Sequence, residues 1–220
     1  MVSGQGTFNA PERDVDIEEV PGRNGTVTFD NGRYKNIEVE YQASITRAFR
    51  RNAEAVRAWL LAPIGYCRLE DSYHPELFRM ARYTGGIEFE MQACNHAGEM
   101  KLLFDCKPQR FLKTGEQAIV LTEGRTICNP TAFPALPLIR VYGSGAGTLN
   151  VGGTVVKLYD LDPAGYLDLD SEIMDAYEGT INRNGQISAP EFPQLTAGDN
   201  AVSWSGGIAK IQITPRWWTI

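Results

Sequence analysis

Apolar and polar positions alternate along most of the chain, the period of two expected of half-buried strands. In residues 13–20, RDVDIEEV, Val15 and Ile17 alternate with Asp14, Asp16 and Glu18. In residues 36–45, NIEVEYQASI, the side chains of Ile37, Val39, Tyr41, Ala43 and Ile45 fall on one face. Two clusters between these runs, PGRNG and DNGRY, hold Asn24-Gly25 and Asn31-Gly32, pairs that accept the positive φ of tight turns. Further strands are predicted in GYCRLED, LFRMARY, IEFEMQA and EMKLLFDC, with CNHAG closing the last two into a hairpin. The exception is residues 52–62, NAEAVRAWLLA, where Val56, Trp59 and Leu60 recur at helical spacing. Asn52 is the expected N-cap, Pro63 the stop and Trp59 a plug in the core.

Beyond residue 128 the texture changes. Pro130, Pro134 and Pro137 make a stiff, extended connector, and the domain boundary is expected there. After it, short strands alternate with Gly, Asn and Asp turns: LIRVYG, GTLNVGG, TVVKLYD, GYLDLDS, DAYEG, NAVSWSG and GIAKIQITPRWW. Many short strands with regular turns predict a β-sandwich. The fold class expected is therefore mainly β: residues 1–130 form an α+β domain with one short helix, and residues 131–220 a sandwich.

Composition narrows the function. A chain of 220 residues, 43% hydrophobic and 22% charged, has the make-up of a globular protein with a sizeable core, and no apolar run approaches a bilayer span. The first residues, MVSGQGTFNAPERD, lack the basic start and apolar middle of an export signal, so cytoplasmic synthesis is expected. Net charge is −6, with 16 basic against 18 acidic residues up to Pro130 and 5 against 9 beyond, a balance that argues against nucleic-acid binding. The densest basic stretch, RAFRR, reads as a solvated helix start. The cysteines, Cys67, Cys94, Cys106 and Cys128, have no zinc-ligand spacing and read as buried free thiols, and His74 and His96 are too few for a His-rich metal site.

Candidate chemistry is sparse. Asp168, Asp170 and Glu172 in LDLDSE share a strand face, but no His or Lys stands near them, and acidic strand ends are common. GSGAG lacks the Lys-Ser/Thr and the helix of a phosphate loop and reads as a flexible turn. No nucleophile elbow occurs, so no catalytic residue, cofactor or metal is expected. Trp204 shares a face with Val202, most simply the inner one, whereas adjacent Trp217 and Trp218 must point in opposite directions. An outward Trp is a candidate for docking a partner or stacking on a sugar.

Read in order, VPGRNG, GRYKNIEVEYQASI, AWLLAPIGYCRLEDSYHPELFRMARY, LLFDCKPQRFLKTGE, CNPTAFPALPLIRVYGSG, LDLDSE and FPQLTAGDNAVSWSGGIAKIQITPRW resemble the distal tail protein family of long-tailed phages, from about Val20 to Trp218. The resemblance implies a structural, non-enzymatic hub of the virion. Its N-terminal domain would form a ring, typically hexameric, around a channel that passes DNA without binding it specifically. Its C-terminal galectin-like sandwich would dock other tail components. The implied partners are further copies of the chain, the tail tube protein, the tail-tip protein and baseplate or receptor-binding proteins, with no membrane. For the ring contact, the turn residues Pro21, Gly22, Arg23, Asn24 and Gly25 are the candidates, with Tyr34 and Tyr41 of the neighbouring strands. The alternative is a carbohydrate-binding sandwich that assists adhesion to the host, with Trp217 and Trp218 as the stacking platform.

Overall fold

The computed structural model describes residues 2–3, 9–92 and 96–220. The chain divides after Arg110 into two compact units, and Ile220 returns to the first. Of the expected hairpin CNHAG, Cys94 and Asn95 lie outside the described residues, while the antiparallel pairs Met91–Gly98 and Gln92–Ala97 join its two sides as predicted.

The first unit contains β1 (Val2–Ser3), β2 (Arg13–Glu19), β3 (Thr26–Tyr34), β4 (Ile37–Ile45), helix α1 (Phe49–Leu61), β5 (Cys67–Leu69), β6 (Leu77–Arg82), β7 (Glu90–Gln92) and most of β8 (Ala97–Leu112). Its main sheet runs β1-β4-β8-β6-β5, with β7 added to β8. Strict alternation in β4 buries Ile37, Val39, Tyr41, Ala43 and Ile45, as the sequence predicts. Opposite them in antiparallel register lie Cys106, Phe104, Leu102 and Met100 of β8, so one face of this pair is continuous core.

Helix α1 covers that face with Phe49, Ala53 and Leu60. It begins three residues before the expected cap: Ala48 takes left-handed backbone (φ 47°), and Asn52 sits in the first turn, its Nδ2 donating to the Arg47 carbonyl. The buried stripe is thus Phe49, Ala53, Val56 and Leu60, spaced four, three and four. Trp59, one residue from Leu60, is rotated off it and is 61% exposed, so the expected core plug is a surface residue.

Strands β2 and β3 pair with each other in a sheet of their own. The turn joining them uses left-handed Gly22 and Gly25, as PGRNG predicts. DNGRY, by contrast, is no turn. It lies inside β3, where Gly32 (φ 69°) faces the register shift between Arg13 and Val15. The wet and dry sides expected of RDVDIEEV are also absent, because Ile17 stands 63% exposed on one face and Phe29 51% exposed on the other.

The second unit holds β9 (Ile119–Leu121), β10 (Arg125–Asn129), β11 (Leu138–Val151), β12 (Thr154–Leu161), β13 (Leu167–Asp170), β14 (Asp175–Glu178), β15 (Ile181–Asn182), β16 (Ile187–Ser188), β17 (Gly198–Thr214) and β18 (Trp218–Thr219). Both β9 and β10 pair with β17, so the proline-rich connector lies inside this unit rather than ahead of it. Segments that read as separate short strands are continuous: LIRVYG and GTLNVGG are both β11, and NAVSWSG runs into β17. The two long strands are paired along their length, with register shifts between Tyr142 and Gly147. Towards one end β11 also pairs with β13, towards the other with β12. Ile139, Val141, Leu149, Val151, Leu169, Ile211 and Ile213 from both ends share one continuous core.

GSGAG, the expected flexible turn, is the bulge inside β11. A methyl on Gly143 would lie 2.1 Å from the Gly207 carbonyl, and one on Gly207 would lie 1.8 Å from the Ser144 carbonyl. These glycines let two backbones touch where the long strands bulge together.

Two buried asparagines hold the loops at the other end of β17. Asn129 donates to the carbonyls of Phe133 and Leu195 and accepts from the Thr131 N–H and hydroxyl. Asn200 donates to the Thr196 and Gly198 carbonyls and accepts from Thr196. FPQLTAGDNAVSW therefore forms, as predicted, a turn feeding a core strand, with Gly198 at φ 79° and Val202 buried.

Candidate functional site

The ring-contact candidates separate into two groups. Pro21, Gly22, Arg23, Asn24 and Gly25 are all exposed at the tip of the β2–β3 hairpin. Tyr34 is half-buried at its base, under the Arg13 guanidinium 5.3 Å from its ring centre. Cross-strand pairs stiffen the hairpin: Arg13 with Asp30 at 2.6 Å and Arg33 with Asp14 at 2.6 Å. The Gly32 N–H and Arg13 lower the Asp30 pKa despite some desolvation. Among the described residues, β2 and β3 pair only with each other, and an isolated two-stranded hairpin is only marginally stable in water.

Tyr41 belongs to the interior instead. It is 8% exposed and packs edge-on against Phe104, and its hydroxyl donates to Asp71 at 2.5 Å. Burial, reinforced by that hydrogen bond and the Asp71 charge, pushes its phenol well above the usual range. Of these candidates, Tyr41 is therefore a core residue, while the hairpin tip is exposed.

The sugar-stacking candidates fare differently from expectation. Trp217 is 5% exposed and part of the second core, which removes it as a platform. Trp218 stacks on Phe133 with ring centres 4.6 Å apart, and its Nε1 donates to the Pro134 carbonyl. Both are held by neighbours the sequence separates from them by many residues.

The carboxylates of LDLDSE meet arginines that sequence spacing did not reveal. Asp168 (2% exposed) takes both Nε and Nη2 of Arg140, at 2.7 and 2.8 Å, and Arg140 lies 3.9 Å over Tyr166. Asp170 (5% exposed) takes Nη1 and Nη2 of Arg216, at 2.7 and 3.0 Å. Desolvation pushes the Asp170 carboxyl up, but the Arg216 hydrogen bonds and charge and the Glu172 and Ile173 N–H groups bring it below its ordinary value. Paired bidentately, both carboxylates are committed as structural acceptors of arginine hydrogen bonds. The available signal was Arg140 itself, a charge between Ile139 and Val141 on the non-core face of β11, directly across from Asp168.

Among the described residues, no group of three or more His, Cys, Asp or Glu is placed to hold a metal ion, and no helix is long and apolar enough to cross a membrane. Of the thiols expected to be buried, Cys106 is fully so, but Cys67 and Cys128 are exposed; Cys94 lies outside the described residues. Burial lifts the Cys106 thiol to about 11, partly opposed by the nearby Arg79 guanidinium. At pH 8, therefore, Cys67 and Cys128 are expected to alkylate in the folded protein, and Cys106 only after denaturant is added. Peptide mapping after iodoacetamide treatment checks this, and early labelling of Cys106 would contradict the packing of β4 on β8.

No protein-family model matches the sequence, and a search of the curated proteins gives no match. Solved structures do match. The crystal structure of phage SPP1 Dit, described as a paradigm of the hub of the adsorption apparatus in phages infecting Gram-positive hosts, aligns with a TM-score of 0.74. The alignment covers 97% of this chain and 92% of that one at 14% identity. Chains of the phage P2 baseplate in its activated conformation, with Ca and with Sr, align with TM-scores of 0.51 and 0.52, covering 95% of this chain and 88% of theirs at 9% identity. The chain thus has the fold of a siphophage distal tail protein, agreeing with the resemblance read from its sequence.

Proposed function

We propose that the protein is a structural, non-enzymatic hub subunit of a long-tailed phage, located at the tail tip of the virion. Copies of the first unit form a ring, six-membered as in the family the sequence resembles, and connect the tail tube to tail-tip, baseplate and receptor-binding proteins. The second unit is the outward docking platform, a galectin-like sandwich. The observation that carries this reading is the near end-to-end match to the SPP1 hub protein, which spans both units rather than one.

Two features of the chain support it. The β2–β3 hairpin, with exposed Pro21, Gly22, Arg23, Asn24 and Gly25 at its tip, offers open edges for a heterologous contact that closes into a ring. The chain's net charge of −6 suits a channel through which DNA passes without being held, because like charge keeps phosphates mobile. The carbohydrate-binding alternative loses its platform, with Trp217 in the core and Trp218 covered on one side by Phe133.

Negative-stain class averages of the assembled protein test the reading. Rings with six-fold symmetry and a central hole are expected. Open filaments or irregular clusters would overturn it.

A further inference from the structure

Helix α1 covers its core with one stripe and leaves a second face that no other element covers among the described residues. Arg51, Ala55 and Trp59 recur along this face at four-residue spacing, all exposed, and Ile64, 99% exposed, follows beyond the helix end. A large exposed aromatic beside a flat alanine surface is what a protein contact looks like before it is made. Beside Trp59 opens a hollow of about 260 Å³, walled by Tyr41, Leu69, Tyr73, Leu102 and Phe104.

The hairpin carries the complementary features. On one of its faces Phe29 is exposed opposite Asp16, and Glu18 lies next in line opposite Val27. Among the described residues, Glu18 and Glu19 have no cation within ion-pair distance, and Arg47, Arg50 and Arg51 at the start of α1 have no carboxylate partner. The two sets of uncompensated charge are opposite in sign. Their spacing also agrees. Arg51 and Trp59 are eight residues apart, about 12 Å along a helix. Phe29's cross-strand neighbour Asp16 and Glu18 are two residues apart, about 7 Å along a strand, and the length of the arginine and glutamate side chains spans the difference.

We propose that the β2–β3 hairpin of one copy lies across helix α1 of the next, with Phe29 seated beside Trp59 and Glu18, on the same hairpin face, facing Arg51. The proposal rests on the ring reading and names the contact that closes it. The contact is heterologous, so each copy offers a hairpin and receives one, leaving no unused partner in a closed ring. It covers Trp59 and Phe29 together, the two most exposed aromatics among the described residues of the unit. The charges set the register and the rate of association more than the final affinity.

Charge exchange in the full-length protein tests it, with assembly followed by sedimentation at low ionic strength. Glu18→Arg and Arg51→Glu are each expected to raise the concentration of half-assembly about fivefold, while the combined two-site variant returns to within about twofold of the parent. Both positions are exposed, and an unchanged circular dichroism melt establishes that each variant folds. A photo-crosslinker at Phe29, in a mixture of heavy- and light-isotope chains, is expected to join residues 47–64 of a different copy. Rings that form with crosslinks elsewhere, or charge variants that assemble like the parent, would overturn this contact and leave the ring standing. A parent protein that never assembles would overturn both.

Discussion

Gly207→Ala is expected to unfold the second unit or leave it barely stable. The added methyl would lie 1.8 Å from the Ser144 carbonyl oxygen and 3.2 Å from that of Ala146, and both obstacles are backbone of the paired strand. A flexible side chain can swing away from such an intrusion, but here β11 and β17 must separate along the ladder that carries the core. Overpacking a site that can relax costs about 1–3 kcal/mol. A backbone clash that breaks the central strand pair is expected to exceed about 4 kcal/mol, a large share of the 5–15 kcal/mol of a typical domain. The control is Gly185→Ala, where nothing lies within 4 Å of the new methyl and the backbone is not left-handed. Urea unfolding followed by Trp fluorescence should show the control near the parent and Gly207→Ala shifted far below it. Equal midpoints would mean that the two strands do not meet as described.

The second large effect is at Asp170. Removing its partner by Arg216→Ala leaves a carboxylate that is 5% exposed without its two strongest hydrogen bonds, a change that typically costs about 3–5 kcal/mol. The pH dependence has a definite sign. The folded Asp170 titrates below its ordinary value of 3.8, so its contribution is fully present above about pH 4 and is lost as pH falls through the lower, folded value. The difference between parent and Arg216→Ala should therefore be full at pH 7 and shrink below about pH 4, where the variant's carboxyl becomes neutral and no longer needs the guanidinium. Paired urea titrations at pH 7 and pH 3.5 measure it. A difference that grows in acid would contradict the assignment of Arg216 as the group that keeps Asp170 ionised.

What the sequence shows well is local. The alternation in β4, the left-handed glycines of PGRNG and the turn before β17 depend on neighbours within a few residues, and the structure bears them out. What it hides depends on distant pairing. GSGAG looks like a turn because five small residues in a row have no local reason to be strand, and its reason is Gly206 and Gly207 more than fifty positions later. Asp168 and Asp170 look like candidate chemistry until Arg140 and Arg216 arrive from other strands. Trp59 follows helical spacing, yet the choice between two adjacent apolar stripes is made by β8, and the stripe holding Leu60 is chosen.

The same limit applies to the candidate site. The tip of the hairpin was legible because turn chemistry exposes it, whereas the exposed face of α1 was not, since an apolar helix residue is read as core by default. Among the described residues, a hairpin paired only with itself and a helix with an open aromatic face make sense together under the proposal that the chain is a part of a larger assembly.

The most direct test is the mass of the purified protein in solution, measured by light scattering on a sizing column across a range of concentrations. Six chains of 24.4 kDa predict a species of about 146 kDa that grows with concentration at the expense of smaller ones. A protein that stays at 24.4 kDa up to the highest concentration attainable would contradict the account.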